Sequence, residues 1–83
     1  MIRIYADFST RDQLDRLVLT IPGSQPDIEK NSDRLTSGLR VVLYQPGELE
    51  VEATLVFDRG WLGIPDWNTI KYYEGADPKR VGN

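Results

Sequence analysis

The stretch from Glu48 to Phe57 places the strongest constraint on the fold of this 83-residue chain. Every second residue in it is apolar, namely Leu49, Val51, Ala53, Leu55 and Phe57. A period of two is typical of a β-strand with one face in the core. The intervening positions begin with three glutamates, so one face of this strand is expected to be acidic and wet. Towards Phe57 both faces become neutral or apolar, which allows cover on both sides.

Four other segments show the same alternation, and one segment between them has the signals of a helix. The further strands are predicted at residues 2–8, 17–21, 39–44 and 61–64. Pro22 and Gly23 end the second strand. Ser24 then offers an N-cap, which predicts one short helix within residues 25–36. Residues 66–70 can form a single helical turn, and residues 71–83 show no period. The sequence therefore predicts one domain over residues 1–70 and a loose C-terminal tail over residues 71–83.

These elements predict a mainly β fold, a small five-stranded barrel, closed or half-open, with a helix between strands 2 and 3. The segment SGLRVVLY (37–44) resembles the start of a strand in SH3-like barrels, and the strand order is similar to theirs, with the helix as an insertion. The chain is also similar to uncharacterised short bacterial proteins that open with a strand like IRIYADF (2–8) and close with a DW turn (66–67). That resemblance implies no function. An OB-like barrel is the alternative, although its helix normally lies between strands 3 and 4.

The loop around Pro46 and Gly47 decides which way the glutamates point. A three-residue loop, 45–47, places Tyr44 opposite Glu48 and Arg40 opposite Glu52, so that core residues meet core residues. A two-residue Pro-Gly turn would put the faces out of step unless a bulge restored them. We therefore expect the three-residue loop, with the glutamates pointing outward.

The next hairpin allows two registers. A three-residue loop pairs Phe57 with Trp61 and points Trp61 into the core, whereas a four-residue loop pairs Phe57 with Leu62 and points Trp61 outward. The second is favoured because it buries Leu62 and Ile64. Trp67 lies in the following turn, where an aromatic residue usually plugs an open barrel end. Val51, Leu55 and Phe57 are expected to be buried.

Composition argues against catalysis. The chain has no His and no Cys, so it lacks the commonest general base, the commonest metal ligand and any thiolate. Asp7, Asp12 and Asp15 do not match the spacing of a Ca²⁺-binding loop. We expect no catalytic, cofactor-binding or metal site. No apolar stretch approaches the roughly 18 to 20 residues that span a bilayer, and the N-terminus has no signal-peptide core, so a cytoplasmic location without membrane contact is the expectation.

Charge is unevenly distributed along the chain, whose net charge is −3. Residues 1–43 hold equal numbers of acids and bases, while residues 44–66 hold five acids and one base. A nucleic-acid-binding protein normally has a basic face, so nucleic acid is an unlikely ligand.

The candidate partner surface combines the glutamates with exposed aromatic residues, which often dominate binding energy. It comprises Tyr44, Glu48, Glu50, Glu52, Trp61 and Trp67. We expect a non-catalytic protein-interaction module or a small subunit of a larger assembly, with a partner that has a basic rim. The alternative is a single-stranded nucleic-acid-binding barrel whose aromatic residues stack on bases. A simpler interpretation of the glutamates is a solvated face with an Arg40–Glu52 ion pair.

Overall fold

A computed structural model describes residues 1–73, in which six strands and one helix form. The strands are β1 (Arg3–Tyr5), β2 (Leu17–Val18), β3 (Arg40–Gln45), β4 (Leu49–Phe57), β5 (Trp61–Pro65) and β6 (Lys71–Tyr72). The helix α1 (Gln25–Lys30) follows a 3-10 turn (Pro22–Ser24), and a second 3-10 turn (Trp67–Thr69) separates β5 from β6. Lys71 and Tyr72, placed in the tail by the sequence, pair with β4. The rest of that predicted tail, 74–83, lies outside the described residues.

The sheet is mixed and curls into a half-barrel, with its five main strands in the order β1-β3-β4-β5-β2. The predicted mainly β fold with a helix between β2 and β3 is confirmed. β1 pairs parallel with β3, so no hairpin joins these two neighbouring strands. β5 and β6 both pair antiparallel with β4 along the same edge of that strand, and the second 3-10 turn separates β5 from β6.

The helical segment lies between the two edge strands of the sheet. The Tyr5 backbone N–H donates to Asp27 Oδ2 at 2.8 Å, and Ser24 Oγ donates to the Tyr5 carbonyl oxygen. Gln25 Nε2 donates to the Leu19 carbonyl oxygen, just beyond β2, at 3.2 Å. The predicted helix is therefore present but ends at Lys30, and the Ser24 hydroxyl binds β1 instead of capping α1. Covering an edge strand in this way satisfies polar groups that would otherwise attract another chain.

The core lies on the concave face of the sheet, where alternate residues of β1, β3 and β4 point. It contains Ile4, Ala6, Leu17, Leu19, Ile28, Leu35, Val41, Leu43, Val51, Ala53 and Leu55. The predicted burial of Val51 and Leu55 is confirmed, and that of Phe57 is wrong, because 58% of Phe57 is exposed. Phe57 lies at the rim of the half-barrel, where its ring packs edge to face on Trp61 and nothing in the core cluster covers it.

In the β3–β4 hairpin the side chains point to the predicted faces of the sheet, but the two strands pair in a different register. Gln45 pairs with Leu49 and Tyr44 with Glu50, so the three loop residues are 46–48 rather than 45–47. Gly47 supplies the left-handed conformation of the loop, with φ of 75°. Gln45 stays in β3, where its side-chain oxygen accepts a hydrogen bond from the Phe8 backbone N–H at 3.1 Å. The pairing has shifted by two residues, and an even shift keeps the glutamates on the outer face.

The β4–β5 hairpin adopts the register that the sequence disfavoured. Phe57 pairs with Trp61 and Leu55 with Gly63, so the four-residue loop is wrong. Trp61 points inward and packs partly against the core. Gly63 also lies on the inner face. Leu43 fills the space above it, so a Cβ at this position would lie 2.6 Å from Leu43 Cδ1.

Candidate functional site

The six residues predicted as a partner surface do not form one surface. Tyr44, Glu50 and Glu52 share the outer face of β3 and β4, and Glu48 lies exposed in the loop between these strands. Trp61 faces inward at the rim of the half-barrel. Trp67 lies in the second 3-10 turn. The structure therefore brings together the tyrosine and two of the glutamates and separates both tryptophans from them.

The outer glutamates are engaged in ion pairs. Glu50 lies 3.2 Å from Arg3, and Glu52 lies 3.1 Å from Arg40, which confirms the predicted Arg40–Glu52 pair. Arg40 also lies 2.7 Å from Asp66, and this hydrogen bond lowers the pKa of the Asp66 carboxyl. Glu50 further accepts a hydrogen bond from the Tyr73 hydroxyl. The stripe is thus largely neutralised by arginines, a feature that strand alternation alone does not reveal.

Tyr44 is held in place by three neighbours. Its hydroxyl donates to Asp27 Oδ2 at 2.9 Å, and this hydrogen bond raises the pKa of Tyr44. Tyr5 packs edge-on against its ring, with 6.1 Å between ring centroids. The Arg3 guanidinium lies 5.0 Å from the ring centroid, a cation–π distance. Tyr44 is therefore part of the contact between α1 and the sheet and is not a freely exposed aromatic residue.

Trp67 lies at one end of the half-barrel. Its ring lies 6.3 Å from that of Phe8, which packs against the core, and the Arg11 guanidinium lies 5.1 Å from its centroid. Trp67 nevertheless remains 40% exposed. The plugging role that the sequence suggested for Trp67 stays a prediction.

A cleft of about 660 Å³ opens between the C-terminal part of α1 and the first residues of β1 and β3. Its charged lining consists of Arg3, Asp27, Lys30, Arg34 and Arg40. Four of the ten basic residues of an acidic protein therefore face one cavity. The sequence did not indicate this site, because acids and bases are equal in number over residues 1–43 and separate only when the chain folds.

Apolar side chains lie on both faces of the β4–β5 hairpin, with Phe57 and Trp61 at the rim of the inner face and Val56 and Ile64 on the outer face. We name these four residues together the hairpin surface. Phe57 is 58% exposed and Ile64 is 45% exposed. The rings of Phe57 and Trp61 are 5.0 Å apart between centroids and nearly perpendicular. On the outer face Val56 pairs with Leu62, which is buried and therefore adds little to this surface. The neutral end of β4 was visible in the sequence, but the exposure of Phe57 was not.

The aspartates of the first loop organise that loop. Asp7 accepts hydrogen bonds from the backbone and side chain of Ser9, which lower its pKa. Asp12 accepts from the backbone and side chain of Arg16, and these bonds lower its pKa as well. Within residues 1–73, no group of three or more potential metal-ligating side chains occurs.

No helix among the described residues has the length and apolar character needed to cross a membrane. Comparison with known proteins finds no matching family model, no matching curated protein and no matching solved structure.

Proposed function

We propose that this chain is a non-catalytic protein-interaction module, acting by itself or as a small subunit of a larger assembly. The observation that carries the proposal is the exposed ring of Phe57, which packs edge to face on the half-buried Trp61 at the rim of the sheet. Large aromatic residues are frequent among the side chains that dominate binding energy. Phe57 ends a nine-residue strand paired on both sides, so its backbone is already ordered and little conformational entropy is lost on docking.

The hairpin surface suits a partner with an apolar pocket. Val56 and Ile64 extend the apolar area on the outer face, while Asp58 at the loop carries an ion pair to Arg16 at 3.2 Å. The partner with a basic rim, suggested by the sequence, would have to compete with Arg3 and Arg40 for Glu50 and Glu52. We therefore propose that the partner's apolar pocket contacts the hairpin surface, and that basic residues of the partner lie only at the margin of this contact.

The kinship with SH3-like barrels also remains a proposal. It is supported by the consecutive antiparallel order β3, β4, β5 and by the late helical turn before β6. The parallel pairing of β1 with β3 is a departure from a fold built of hairpins.

Single-stranded nucleic-acid binding is the second candidate, and the basic cleft is the observation in its favour. Two of the four cleft cations, Arg3 and Arg40, are already paired with carboxylates. The exposed aromatic residues, Phe57, Trp67 and Tyr72, do not line the cleft. Tyr44 does line it, but its ring already contacts Tyr5 and Arg3 and its hydroxyl donates to Asp27, so it is poorly placed to stack on a base. This candidate therefore ranks second.

Affinity capture from an extract of the source organism tests the first candidate. The bait is the full chain, compared with Phe57→Ser and with Tyr72→Ser as a matched control. Tyr72 is 47% exposed and pairs with Leu49 at the opposite end of β4. We expect a partner that is retained by wild type and Tyr72→Ser and lost by Phe57→Ser. Equal recovery by all three baits would contradict the hairpin surface, and a gel shift of a single-stranded oligonucleotide at low salt would favour the second candidate.

A further inference from the structure

We propose that the cleft beside α1 binds a small anionic organic ligand, with its carboxylate or phosphate group between Lys30 and Arg34 and its apolar part against Ile2 and Leu39. The site is separate from the hairpin surface, so this inference stands or falls independently of the proposed protein partner.

Lys30 and Arg34 supply the charge that is available to a ligand. Within residues 1–73, neither side chain has a carboxylate at ion-pair distance. Arg34 donates to the side-chain oxygen of Asn31, which is buried, and the Asn31 amide donates to the Asp27 carbonyl oxygen at 2.8 Å. A buried amide thus fixes the direction of Arg34, while a guanidinium has five donors and keeps others for an oxyanion.

Arg3 and Arg40 form a second, fixed pair of cations at the cleft. Arg3 is held by Glu50 and the Tyr73 hydroxyl, and Arg40 by Glu52 and Asp66. These contacts orient both guanidinium groups without a ligand present. They also reduce the positive potential, which leaves Lys30 and Arg34 as the strongest attraction for an anion.

Asp27 is the one side-chain carboxylate among the residues that line the cleft, and one of its two oxygens is already engaged. Its Oδ2 accepts hydrogen bonds from the Tyr5 backbone N–H and the Tyr44 hydroxyl. Both donors belong to the sheet, so this oxygen is turned towards β1 and β3. The lining therefore opposes an anion with one engaged carboxylate and attracts it mainly with Lys30 and Arg34, since Arg3 and Arg40 are already paired.

Size and composition select a small organic anion. A volume of about 660 Å³ is in the range of small-molecule sites and is far larger than a bare ion needs. Ile2 and Leu39 line the cleft and pack against the core, so they form a fixed apolar wall. A long polyanion such as nucleic acid would also approach Glu50, Glu52 and Asp66, beside Arg3 and Arg40, and would be repelled by them.

The test is a titration of the ¹⁵N-labelled full chain, followed by amide chemical shifts at low salt. The probes are phenyl phosphate, phenylacetate and the neutral benzyl alcohol. We expect saturable shifts at Lys30, Asn31, Arg34 and Leu39 with an anionic probe and none with the alcohol. Tighter binding of phenyl phosphate would assign a phosphate ligand, and tighter binding of phenylacetate a carboxylate ligand; either supports the site.

Matched variants separate a specific site from general attraction. Arg34→Gln should raise the Kd of the better probe about tenfold, the loss of one charge-assisted hydrogen bond. Arg59→Gln removes the same charge from the exposed β4–β5 loop and should change the Kd less than about twofold. Lys30→Gln provides the same comparison if Arg34→Gln fails to fold. Non-saturating shifts, or equal weakening by the cleft and loop variants, would overturn the proposal. So would shifts of these amides by a single-stranded decamer but by neither small anion.

Discussion

Gly63 occupies a position in β5 where a side chain has no room. A Cβ there would lie 2.6 Å from Leu43 Cδ1 and 3.7 Å from Ala53 Cβ, and both of these residues are fully buried. We expect Gly63→Ala to lower the free energy of unfolding by about 1–3 kcal/mol, because an overpacked core forces its neighbours out of good rotamers. Urea denaturation measures the loss. Ile64→Ala, at the exposed neighbouring position, should lower the free energy of unfolding by about 1 kcal/mol or less. A larger loss in Ile64→Ala than in Gly63→Ala would contradict the inner position of Gly63 in β5.

Val51 and Phe57 occupy inward positions of the same strand but differ in burial, 1% against 58% exposed. We expect Val51→Asp to unfold the domain, because it buries a charge with no partner. Phe57→Asp should leave a folded protein, because its carboxylate can remain in water at the rim. Far-UV circular dichroism and thermal melting distinguish the two variants. A folded Val51→Asp protein would contradict the core described above.

Single residues also show where sequence patterns stop being informative. The alternation along β4 predicted the burial of Val51 and Leu55 and the outward glutamates, because a strand with one wet face must alternate. The same rule favoured Leu62 and Ile64 as the buried pair of β5. Leu62 is buried as predicted, but Ile64 is 45% exposed. Gly63 takes the inner position opposite Leu55, because Leu43, distant in sequence, already fills the space there. Local periodicity contains no information on the volume that another strand contributes.

At the scale of elements, Asp27 joins α1 to the free edge of β1. Asp27→Ala removes the acceptor of the Tyr5 backbone N–H and the Tyr44 hydroxyl at once. We expect a loss of about 2 kcal/mol of stability, because partly buried donors lose a charged partner. Hydrogen exchange at the Tyr5 amide should accelerate as well. Glu29→Ala, an exposed site on the same helix, is the control, and equal stability of the two variants would contradict the role of α1 as edge cover.

The ion pairs on β4 change what charge reversal should do. The sequence predicted that the glutamates face solvent, but the Glu50 side chain is only 21% exposed and contacts Arg3. We expect Glu50→Lys to cost about 1 kcal/mol more than Glu48→Lys, because it replaces attraction by repulsion. Thermal melting at low and high salt tests this, since screening should reduce the difference. Equal melting temperatures at low salt would show that the Arg3–Glu50 pair contributes nothing.

The strands and the helix were easier to locate from the sequence than the pairing between the strands. The period of two located parts of all five predicted strands, and Pro22 with Gly23 marked the start of the helical segment. The parallel pairing of β1 with β3 could not be found, because the paired residues lie 39 positions apart in the sequence, as in Arg3 and Val42. The basic cleft was missed for the same reason, since Arg3, Lys30 and Arg40 come from three different elements.

At the scale of the whole molecule, the half-barrel is completed by parts that are not regular strands. The helical segment bridges β1 and Leu19, while Trp67 meets Phe8 at one end. Beside β2, the Val18 backbone N–H donates to the Thr10 carbonyl oxygen at 3.1 Å. The stability of the fold therefore depends on side-chain and loop hydrogen bonds, many of which involve carboxylates.

This dependence predicts a particular response to pH. With no His or Cys, no side chain has an ordinary pKa between about pH 5 and pH 9, so stability should be nearly constant there. The pKa values of Asp7, Asp12 and Asp66 are lowered in the folded protein by hydrogen bonds from Ser9, Arg16 and Arg40 respectively. Their contribution is fully present above the unfolded pKa of about 3.9 and is lost as pH falls through the lower folded-state values.

Asp12 offers the sharpest test of this loss of stability in acid, because its carboxylate accepts hydrogen bonds from two backbone N–H groups and from the Arg16 side chain. We expect Asp12→Asn to lower stability at pH 7 and to flatten the loss of stability between pH 5 and pH 2, since the variant has no carboxylate to protonate there. Asp33→Asn is the control, because Asp33 is exposed and forms no ion pair within residues 1–73. Thermal melting across this range measures both, in dilute solution because the net charge passes through zero near pH 4.8. If stability fell as steeply between pH 5 and pH 2 in Asp12→Asn as in Asp33→Asn, protonation of Asp12 would not contribute to the loss of stability in acid.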